Sequence, residues 1–466
     1  MIFSSAIFLF GFLPLLFLIY FISPKGLKNA VLLVFSLVFY YFGGTRYILL
    51  VIGMVSADYL FALLIDRGRF RKVWLTAAVV SNIGVLFYYK YFGFFAENFN
   101  RLFHADITLR DVVLPVGISF FTFQALSYVI DVYRREVAVQ KNPFYLLLYV
   151  SFFPQLVAGP IVRYQTVEHE IAVRTSSLDD VAYGAERFVL GLGKKMLIAN
   201  QMGLLADIVY GLDEPSTPVA FLGALAYMFQ IYYDFSGYSD MAIGLGRVFG
   251  FHFSENFDYP YTAAGVTEFW RRWHISLSGW FRDYVYIPLG GNRKGVARQI
   301  FNLLVVWVLT GFWHGASWNF VLWGLYYFVF LALEKFLLQN RLARLPRAVR
   351  CVLTLLVVLV GWVLFRADDL PAAAAMLKAL FGLRFSTLGW REAALYLQTY
   401  FPYFIMAAVF SAPVYPKAIK RIGRIKNQRL RLLSEAAHYG FLLAVFAVSV
   451  VFLAHSSYDP FIYFRF

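Results

Sequence analysis

Residues 2–22 read IFSSAIFLFGFLPLLFLIYFI and contain no charged side chain. About 20 apolar residues suffice for a helix to cross the hydrocarbon core of a bilayer. Further apolar segments are predicted at residues 28–43, 47–65, 73–96, 111–130, 143–160, 184–209, 217–233, 298–316, 318–338, 351–366, 398–415 and 437–455. The sequence therefore predicts an all-α integral membrane protein that crosses the bilayer many times, with about a dozen spans or half-spans.

The composition supports the same fold class. Hydrophobic residues make up 61% of the chain and charged residues only 15%, whereas a soluble globular protein is roughly half apolar. Residues 2–22 lack a preceding basic region and a following small-residue cleavage site, so we expect a retained helix rather than a signal peptide. Cys351 is the only cysteine, which excludes an intrachain disulfide and a cysteine-based metal cluster.

The net charge of +15 indicates orientation in the membrane rather than nucleic-acid binding. Lys and Arg in excess mark the cytoplasmic loops of membrane proteins. Basic residues follow every second predicted segment, at Lys25–Lys28, Arg67–Lys72 and Arg134–Lys141. This alternation predicts an N-terminus outside the cell. The basic stretches Arg341–Arg350 and Lys417–Arg431 are predicted to be further cytoplasmic loops.

Three segments interrupt the apolar pattern. Residues 114–124 and 152–160 carry Pro and Gly inside apolar runs, and such backbone is tolerated at membrane depth only when it is buried in protein or lines a wet cavity. Residues 255–298 mix charged and aromatic side chains. They are too polar to face lipid and too aromatic for a free loop. We expect short amphipathic or re-entrant helices there, packed at the cytoplasmic face.

Two histidines lie in aromatic surroundings, in EFWRRWHISLS (268–278) and LTGFWHGASW (309–318). Ionisable side chains are costly inside a membrane, so His274 and His314 are candidate site residues. Glycines next to His314 would let another backbone or a substrate come close. A neutral imidazole there could accept a proton from a hydroxyl as a general base. The structural alternative is a buried histidine that is hydrogen-bonded to a carbonyl.

Helical spacing over residues 269–278 predicts an aromatic face and a polar face. The aromatic face contains Trp270, Trp273 and Leu277. The polar face contains Arg271, His274 and Ser278. Arg271 and Arg272 could hold the phosphates of a nucleotide-like donor, because the guanidinium fork suits phosphate oxygens. They could equally extend to lipid headgroups. Residues 281–295 end in a glycine-rich turn with Asn292 and Arg293, which resembles a phosphate cradle but lacks Walker A spacing.

Asp234 and Asp240 are a further polar insertion in apolar sequence, within YYDFSGYSDMAIGLG (232–246). Because carboxylates are costly in lipid, we expect them to line a cavity or to pair with Arg271 or Arg272. Both a structural and a catalytic role remain open at this point. Histidines and carboxylates do not occur at metal-binding spacings such as His-x-x-x-His, so no metal site is predicted.

The motifs DFSGYSDMAIG (234–244), EFWRRWHISLS (268–278), GGNR (290–293) and WHGA (313–316) resemble those of the membrane-bound O-acyltransferases (MBOATs). Within that family they are most similar to the bacterial membrane subunits of alginate O-acetylation systems. The resemblance extends over nearly the whole chain. It includes FSSAIFLF (3–10), LPVGISF (114–120), AGP (158–160) and the closing PFIYFRF (460–466).

The resemblance implies a ring of tilted helices around a central tunnel, in which His314 is the family's histidine and His274 lines the same tunnel. His314 and His274 are therefore the predicted catalytic residues. The predicted donor-binding or tunnel-lining residues are Arg271, Arg272, Trp270, Trp273, Asp234, Asp240, Trp313, Asn292 and Arg293. It also implies that an acyl group, usually acetyl from acetyl-coenzyme A, crosses the bacterial inner membrane to an exported polysaccharide. The implied partner is a periplasmic SGNH-type acetyltransferase or a small membrane protein, and no cofactor is expected to stay bound.

The predicted organisation is a single transmembrane domain over 1–466, with N-terminal spans (1–233), a motif-rich core (234–320) and C-terminal spans (321–466). Several functional alternatives stay open. Relatives O-acetylate peptidoglycan or move D-alanine to teichoic acids. A transporter or flippase of a lipid-linked sugar would also use broken segments and ionisable residues at membrane depth. A scaffold that only anchors a partner enzyme would tolerate His314→Ala.

Overall fold

Apolar helices dominate the structure, a computed structural model that describes residues 1–42, 47–108, 112–455 and 461–462. Its regular elements in these ranges are all helical. Helices long and apolar enough to cross a membrane lie at Tyr47–Asp66, Arg71–Phe103, Val296–His314, Trp318–Leu342, Arg347–Arg366, Thr387–Phe410 and Gln428–His455. The protein is a multi-pass, all-helical membrane protein, as predicted.

About a dozen spans or half-spans were predicted, and the described residues contain seven helices of full spanning length together with shorter apolar helices at Ile7–Ile22 and Leu370–Phe381. The segment 143–160 divides around Phe152 into Pro143–Ser151 and Phe153–Leu156. The interruption predicted within 152–160 is present at Phe152. The segment 184–209 lies in a continuous helix that contains a π-helical stretch, Lys194–Ala199. An apolar sequence indicates that a segment is shielded from water, but it does not distinguish a straight membrane span from broken helices buried within the protein.

Two compact units form the described chain, and unit 1 contains residues 1–188 and 239–254. Its helices are α1 (Leu13–Ile22), α2 (Lys28–Tyr41), α3 (Tyr47–Asp66), α4 (Arg71–Leu86), α5 (Phe92–Phe103), α6 (Ile118–Arg134), α7 (Pro143–Ser151), α8 (Phe153–Leu156), α9 (Tyr164–Ala172) and the start of α10 (Leu178–Gly193). Helices α3, α4 and α6 pack against one another. Between α3 and α4, Asn82 donates a 2.7 Å hydrogen bond to the buried Asp58.

Unit 2 contains residues 189–238 and 255–466. Its helices are α11 (Asn200–Tyr210), most of α12 (Thr217–Val248), α13 (Val266–Arg272), α14 (Ile275–Phe281), α15 (Val296–His314), α16 (Trp318–Leu333), α17 (Gln339–Leu342), α18 (Arg347–Arg366), α19 (Leu370–Phe381), α20 (Thr387–Phe410), α21 (Val414–Ile422) and α22 (Gln428–His455). The single-domain organisation over 1–466 stays a prediction.

The segment 255–298 folds into short helices, as its composition predicts. A 3₁₀ turn at Pro260–Thr262 precedes α13 and α14, which each have seven residues. A π-helical stretch, Arg282–Tyr286, and a series of turns then lead into α15. Phe269, Trp273 and Trp280 are buried, so the segment packs against the protein through its aromatic residues.

Helices α15 and α16 form a tight hairpin whose backbones approach at glycines. A Cβ atom at Gly324 would collide with the Trp307 carbonyl, and one at Gly311 would collide with the Phe320 carbonyl. Small residues allow such close approach of membrane helices. The hairpin fixes the end of α15, and that end carries His314.

Candidate active site

His314 is the last residue of α15 and is 4% exposed. The rings of Trp313, Trp323 and Phe365 surround its imidazole edge-to-face, with centroids at 4.9, 5.1 and 5.1 Å. Aromatic pairs prefer this arrangement and these distances. A hydrophobic enclosure therefore holds the imidazole in one orientation.

His274 lies at a break between two helices rather than within one. Helix α13 ends at Arg272, and His274 adopts a left-handed backbone conformation with φ of 46° before α14 begins at Ile275. The prediction of continuous helical spacing over 269–278 was therefore wrong. The break turns the His274 side chain into the interior, where it is 1% exposed.

Asn256 stabilises this break with both of its oxygens. Its backbone carbonyl accepts a 3.0 Å hydrogen bond from the Ile275 N–H. Its side-chain Oδ1 accepts from the Ser276 hydroxyl at 2.8 Å and from the Ser276 N–H at 3.3 Å. Asn256 thus accepts hydrogen bonds from backbone N–H groups at the start of α14 that have no partner within the helix, as a helix cap does.

The same Asn256 oxygen fixes the tautomer of His274. It lies 3.1 Å from His274 Nδ1, and because the oxygen can only accept, Nδ1 must carry the proton. Burial lowers the pKa of His274 to about 3, since the charged imidazolium is poorly solvated there. His274 is therefore neutral near pH 7, with its lone pair on Nε2.

Trp313 lies between the two histidines. Its ring centroid is 5.7 Å from that of His274 and 4.9 Å from that of His314. The structure thus brings together His274, Trp313 and His314, which come from sequence motifs about 40 residues apart. An aromatic cluster continues from His314 and consists of Trp270, Trp307, Trp323, Tyr327, Trp362 and Phe365. Trp270 and Trp273 contribute buried packing surface to this region.

Asp234 forms a buried ion pair with Lys195, with 2.6 Å between Asp234 Oδ1 and Lys195 Nζ. Its second oxygen accepts a 2.8 Å hydrogen bond from the Ile462 N–H. The neighbouring Phe235 packs its ring 4.7 Å from the His274 ring. The predicted pairing of Asp234 with Arg271 or Arg272 was wrong, but the structural ion pair that the sequence left open is present.

Asp240 pairs with Arg187 at 2.7 Å, so its predicted pairing with Arg271 or Arg272 was also wrong. Both partners belong to unit 1, whereas the two histidines belong to unit 2. Spacing along the sequence cannot identify such partners, because Arg187 and Asp240 lie on different helices.

The two predicted phosphate-binding arginines differ in their surroundings. Arg271 is exposed at the end of α13. Arg272 is half-buried and forms a 2.7 Å ion pair with Glu268. Burial alone would raise the pKa of Glu268, but the Ala264 N–H and the Arg272 guanidinium outweigh it and lower that pKa. Donor binding by either arginine stays a prediction.

The predicted cradle residues Asn292 and Arg293 are exposed in the turn that precedes α15. Gly290 and Gly291 adopt positive φ angles of 108° and 57°, which glycine allows without strain. Asn302 donates a 2.9 Å hydrogen bond to the Gly291 carbonyl and fixes the turn to α15. A role in donor binding stays a prediction.

Sequence reasoning missed Lys195 and Asn256. Lys195 was detectable in principle, because a lysine inside the apolar segment 184–209 is as costly as the aspartates that were singled out. Asn256 carried no signal, since a polar residue in a polar segment is unremarkable until the fold places it against His274.

Comparison with known proteins identifies the family of this chain. Residues 72–366 match the membrane-bound O-acyltransferase family, and the match includes both histidine motifs. The chain belongs to the membrane-bound O-acyltransferase family. As a member of the MBOAT family it is an enzyme that transfers acyl groups to oxygen.

Several relatives are similar to this chain over more than half of their own length. A probable alginate O-acetylase, AlgI, of Azotobacter vinelandii is 38% identical, with 100% of both chains covered. A peptidoglycan O-acetyltransferase of Helicobacter pylori is 35% identical over 82% of this chain and 80% of its own length. A teichoic acid D-alanyltransferase of Bacillus subtilis is 30% identical over 49% of this chain and 60% of its own length.

Proposed function

We propose that this MBOAT protein transfers an acetyl group from cytoplasmic acetyl-coenzyme A across the bacterial inner membrane, for O-acetylation of an exported polysaccharide such as alginate. The full-length similarity to a probable alginate O-acetylase supports the reaction and the acceptor class. The observation that carries the proposal is the burial of His274 and His314, both in ring contact with Trp313.

In the proposed reaction, His314 acts as the general base. The imidazole takes the proton of an acceptor hydroxyl while the hydroxyl oxygen bonds to the thioester carbonyl carbon. The carbon–sulfur bond then breaks, and the departing coenzyme A thiolate takes the proton from the imidazolium. The thioester is already activated, so positioning together with deprotonation can supply the necessary acceleration.

His274 has a positioning role in this proposal. Its Nδ1–H is directed to Asn256, so Nε2 can only accept a hydrogen bond. A neutral acceptor beside Trp313 would orient a hydroxyl or amide N–H of the substrate without adding a charge. Enclosure by aromatic rings would also exclude water, which would otherwise hydrolyse the thioester.

We further propose that the hydroxyl acetylated at His314 is a first acceptor, and that a separate periplasmic SGNH-type acetyltransferase, or a small membrane partner, completes the transfer from it to the sugar hydroxyl. Peptidoglycan is the second candidate acceptor, because the Helicobacter pylori relative is a peptidoglycan O-acetyltransferase that is similar over 82% of this chain. The D-alanyltransferase relative matches only 49% of the chain, which favours acetyl over D-alanyl transfer.

Transfer of radiolabel from acetyl-coenzyme A to an acceptor, measured with purified protein reconstituted in liposomes, tests this function. The donor is presented at the cytoplasmic face, and the wild type is compared with His314→Ala and with His252→Ala, a half-exposed histidine of unit 1. We expect label on an outward acceptor with the wild type and His252→Ala only. Label that stays on the denatured protein would make His314 an acyl acceptor instead of a base. Absence of label, with passage of an intact sugar lipid, would indicate a transporter.

A further inference from the structure

A cavity of about 350 Å³ opens in unit 2 between α12, α18, α20 and the turn at Tyr261–Thr262. Neither histidine lines it, so it is separate from the candidate active site. We propose that this cavity binds one acyl chain of an anionic phospholipid, whose headgroup lies at the basic ends of α18 and α21.

The walls of the cavity run from the lipid-facing surface to the interior. Its rim includes Val352 and Leu356 of α18, which are 56% and 47% exposed. Its floor includes Leu359 and Met228, which are both 4% exposed. Helices α18 and α20 are candidate membrane spans, so the exposed rim faces hydrocarbon. A lipid chain could enter sideways without crossing water.

The chemistry of the walls suits an apolar ligand. The polar groups among the lining residues are already committed within the protein. Tyr261 donates its hydroxyl to the Met228 carbonyl, Thr262 donates to the Tyr259 carbonyl at 2.8 Å, and Ser411 donates to the Ala407 carbonyl at 2.8 Å. A sugar or a nucleotide would lose its hydrogen bonds to water there without replacing them.

The size of the cavity suits a hydrocarbon chain. A cavity of about 150 Å³ accommodates benzene, so about 350 Å³ accommodates roughly a dozen methylene groups. Most of one lipid acyl chain therefore fits.

The charge around the opening selects an anionic headgroup. The cavity is lined by the second to fourth turns of α18 and by the last turn of α20. In sequence, the basic segment 341–350 leads into α18 and the basic segment 417–431 follows α20. Neither segment contains Asp or Glu. Arg347, which is 64% exposed at its side chain, donates to the carbonyl of the lining residue Thr262 at 3.4 Å and lies 3.8 Å from the Glu268 carboxylate. Clusters of basic residues directly next to a membrane helix recruit anionic lipids.

Photolabelling tests the chain-binding site. A phosphatidylglycerol with a diazirine at mid-chain is incorporated into proteoliposomes with the full-length protein, and labelled peptides are mapped by mass spectrometry. We expect label at 352–359 and 408–412. Leu356→Trp, which fills the rim, should lower this labelling at least fivefold. Leu353→Trp, at a similarly exposed position of α18 that does not line the cavity, should leave it unchanged.

A second pair of variants tests the opposite wall. Ala408→Trp lies on the cavity, whereas the adjacent Val409→Trp does not, so only the former should reduce labelling. Equal labelling in both variants of each pair, or no label at 352–359 and 408–412, would overturn the site. Arg347→Gln should reduce the preference for the anionic probe over a phosphatidylcholine probe about fivefold, whereas Lys72→Gln should not. Equal labelling of the wild type by the two probes would overturn the anionic assignment.

Discussion

At the scale of single residues, His274 has the most specific physical signature. It is buried and neutral, with a pKa lowered to about 3 by burial. The unfolded chain binds a proton at this position below pH 6.5, whereas the folded protein does not until about pH 3. Between these values acid favours the unfolded state, and the stability contribution is complete only above pH 6.5.

The difference between the His274 pKa in the unfolded and folded states predicts that the stability of the wild type falls with pH. His274→Gln should remove this part of the pH dependence. As pH falls from 6.5 towards 4, the wild type should lose up to about 1.4 kcal/mol per pH unit more stability than the variant. Thermal unfolding of detergent-solubilised protein at a series of pH values measures this. His252→Gln serves as the control because His252 is half-exposed. Parallel curves for the wild type and His274→Gln would contradict a buried neutral imidazole.

The Lys195–Asp234 pair yields a second prediction at this scale. Its side chains are 4% and 1% exposed, so removal of one charge leaves the other buried without its ion-pair partner. Lys195→Met or Asp234→Leu alone should destabilise the protein by about 3–5 kcal/mol, and the double variant should recover most of the loss. Unfolding midpoints of the three variants test this. Additive losses would mean that the two charges do not interact.

At the scale of elements, the α15–α16 hairpin depends on glycine. A Cβ at Gly324 would meet the Trp307 carbonyl, whereas one at Gly84 in α4 has open space around it. Gly324→Ala should therefore cost about 1–3 kcal/mol through overpacking, and should displace the end of α15 and lower acyl transfer. Gly84→Ala should cost nothing. Equal unfolding midpoints for the two variants would show that the hairpin can relax.

Elements also show what the sequence could and could not predict. Apolar length and charge identified most helices, and the cost of ionisable groups in a membrane identified both histidines as buried. The break at His274 was not predictable from spacing, because the hydrogen bonds of Asn256 stabilise it and Asn256 is distant in sequence. The partners of Asp234 and Asp240 were missed for the same reason, since ion pairs between helices leave no local pattern.

At the scale of the whole molecule, the basic residues lie at alternating helix ends. Arg67–Lys72 joins α3 to α4, Lys294 and Arg298 lie at the start of α15, and Lys417–Arg431 follows α20. This alternation predicts that all three regions face the cytoplasm and that the N-terminus lies outside.

Single-cysteine labelling tests this topology. In a Cys351→Ser background, an impermeant maleimide should label Arg69→Cys and Arg424→Cys only in inside-out vesicles. It should label Asp106→Cys, in the segment between α5 and α6, only in right-side-out vesicles. Labelling of Arg69→Cys and Asp106→Cys from the same side would contradict the assignment.

The most direct test of the central claim is the single-turnover rate of acyl transfer by His314→Gln in proteoliposomes, compared with the wild type and His252→Gln. We predict a 10²- to 10⁴-fold loss of rate for His314→Gln, the usual contribution of a general base, at unchanged membrane level and unfolding midpoint. The rate of His252→Gln should equal that of the wild type. A His314→Gln enzyme with the wild-type rate would contradict the assignment of His314 as the base.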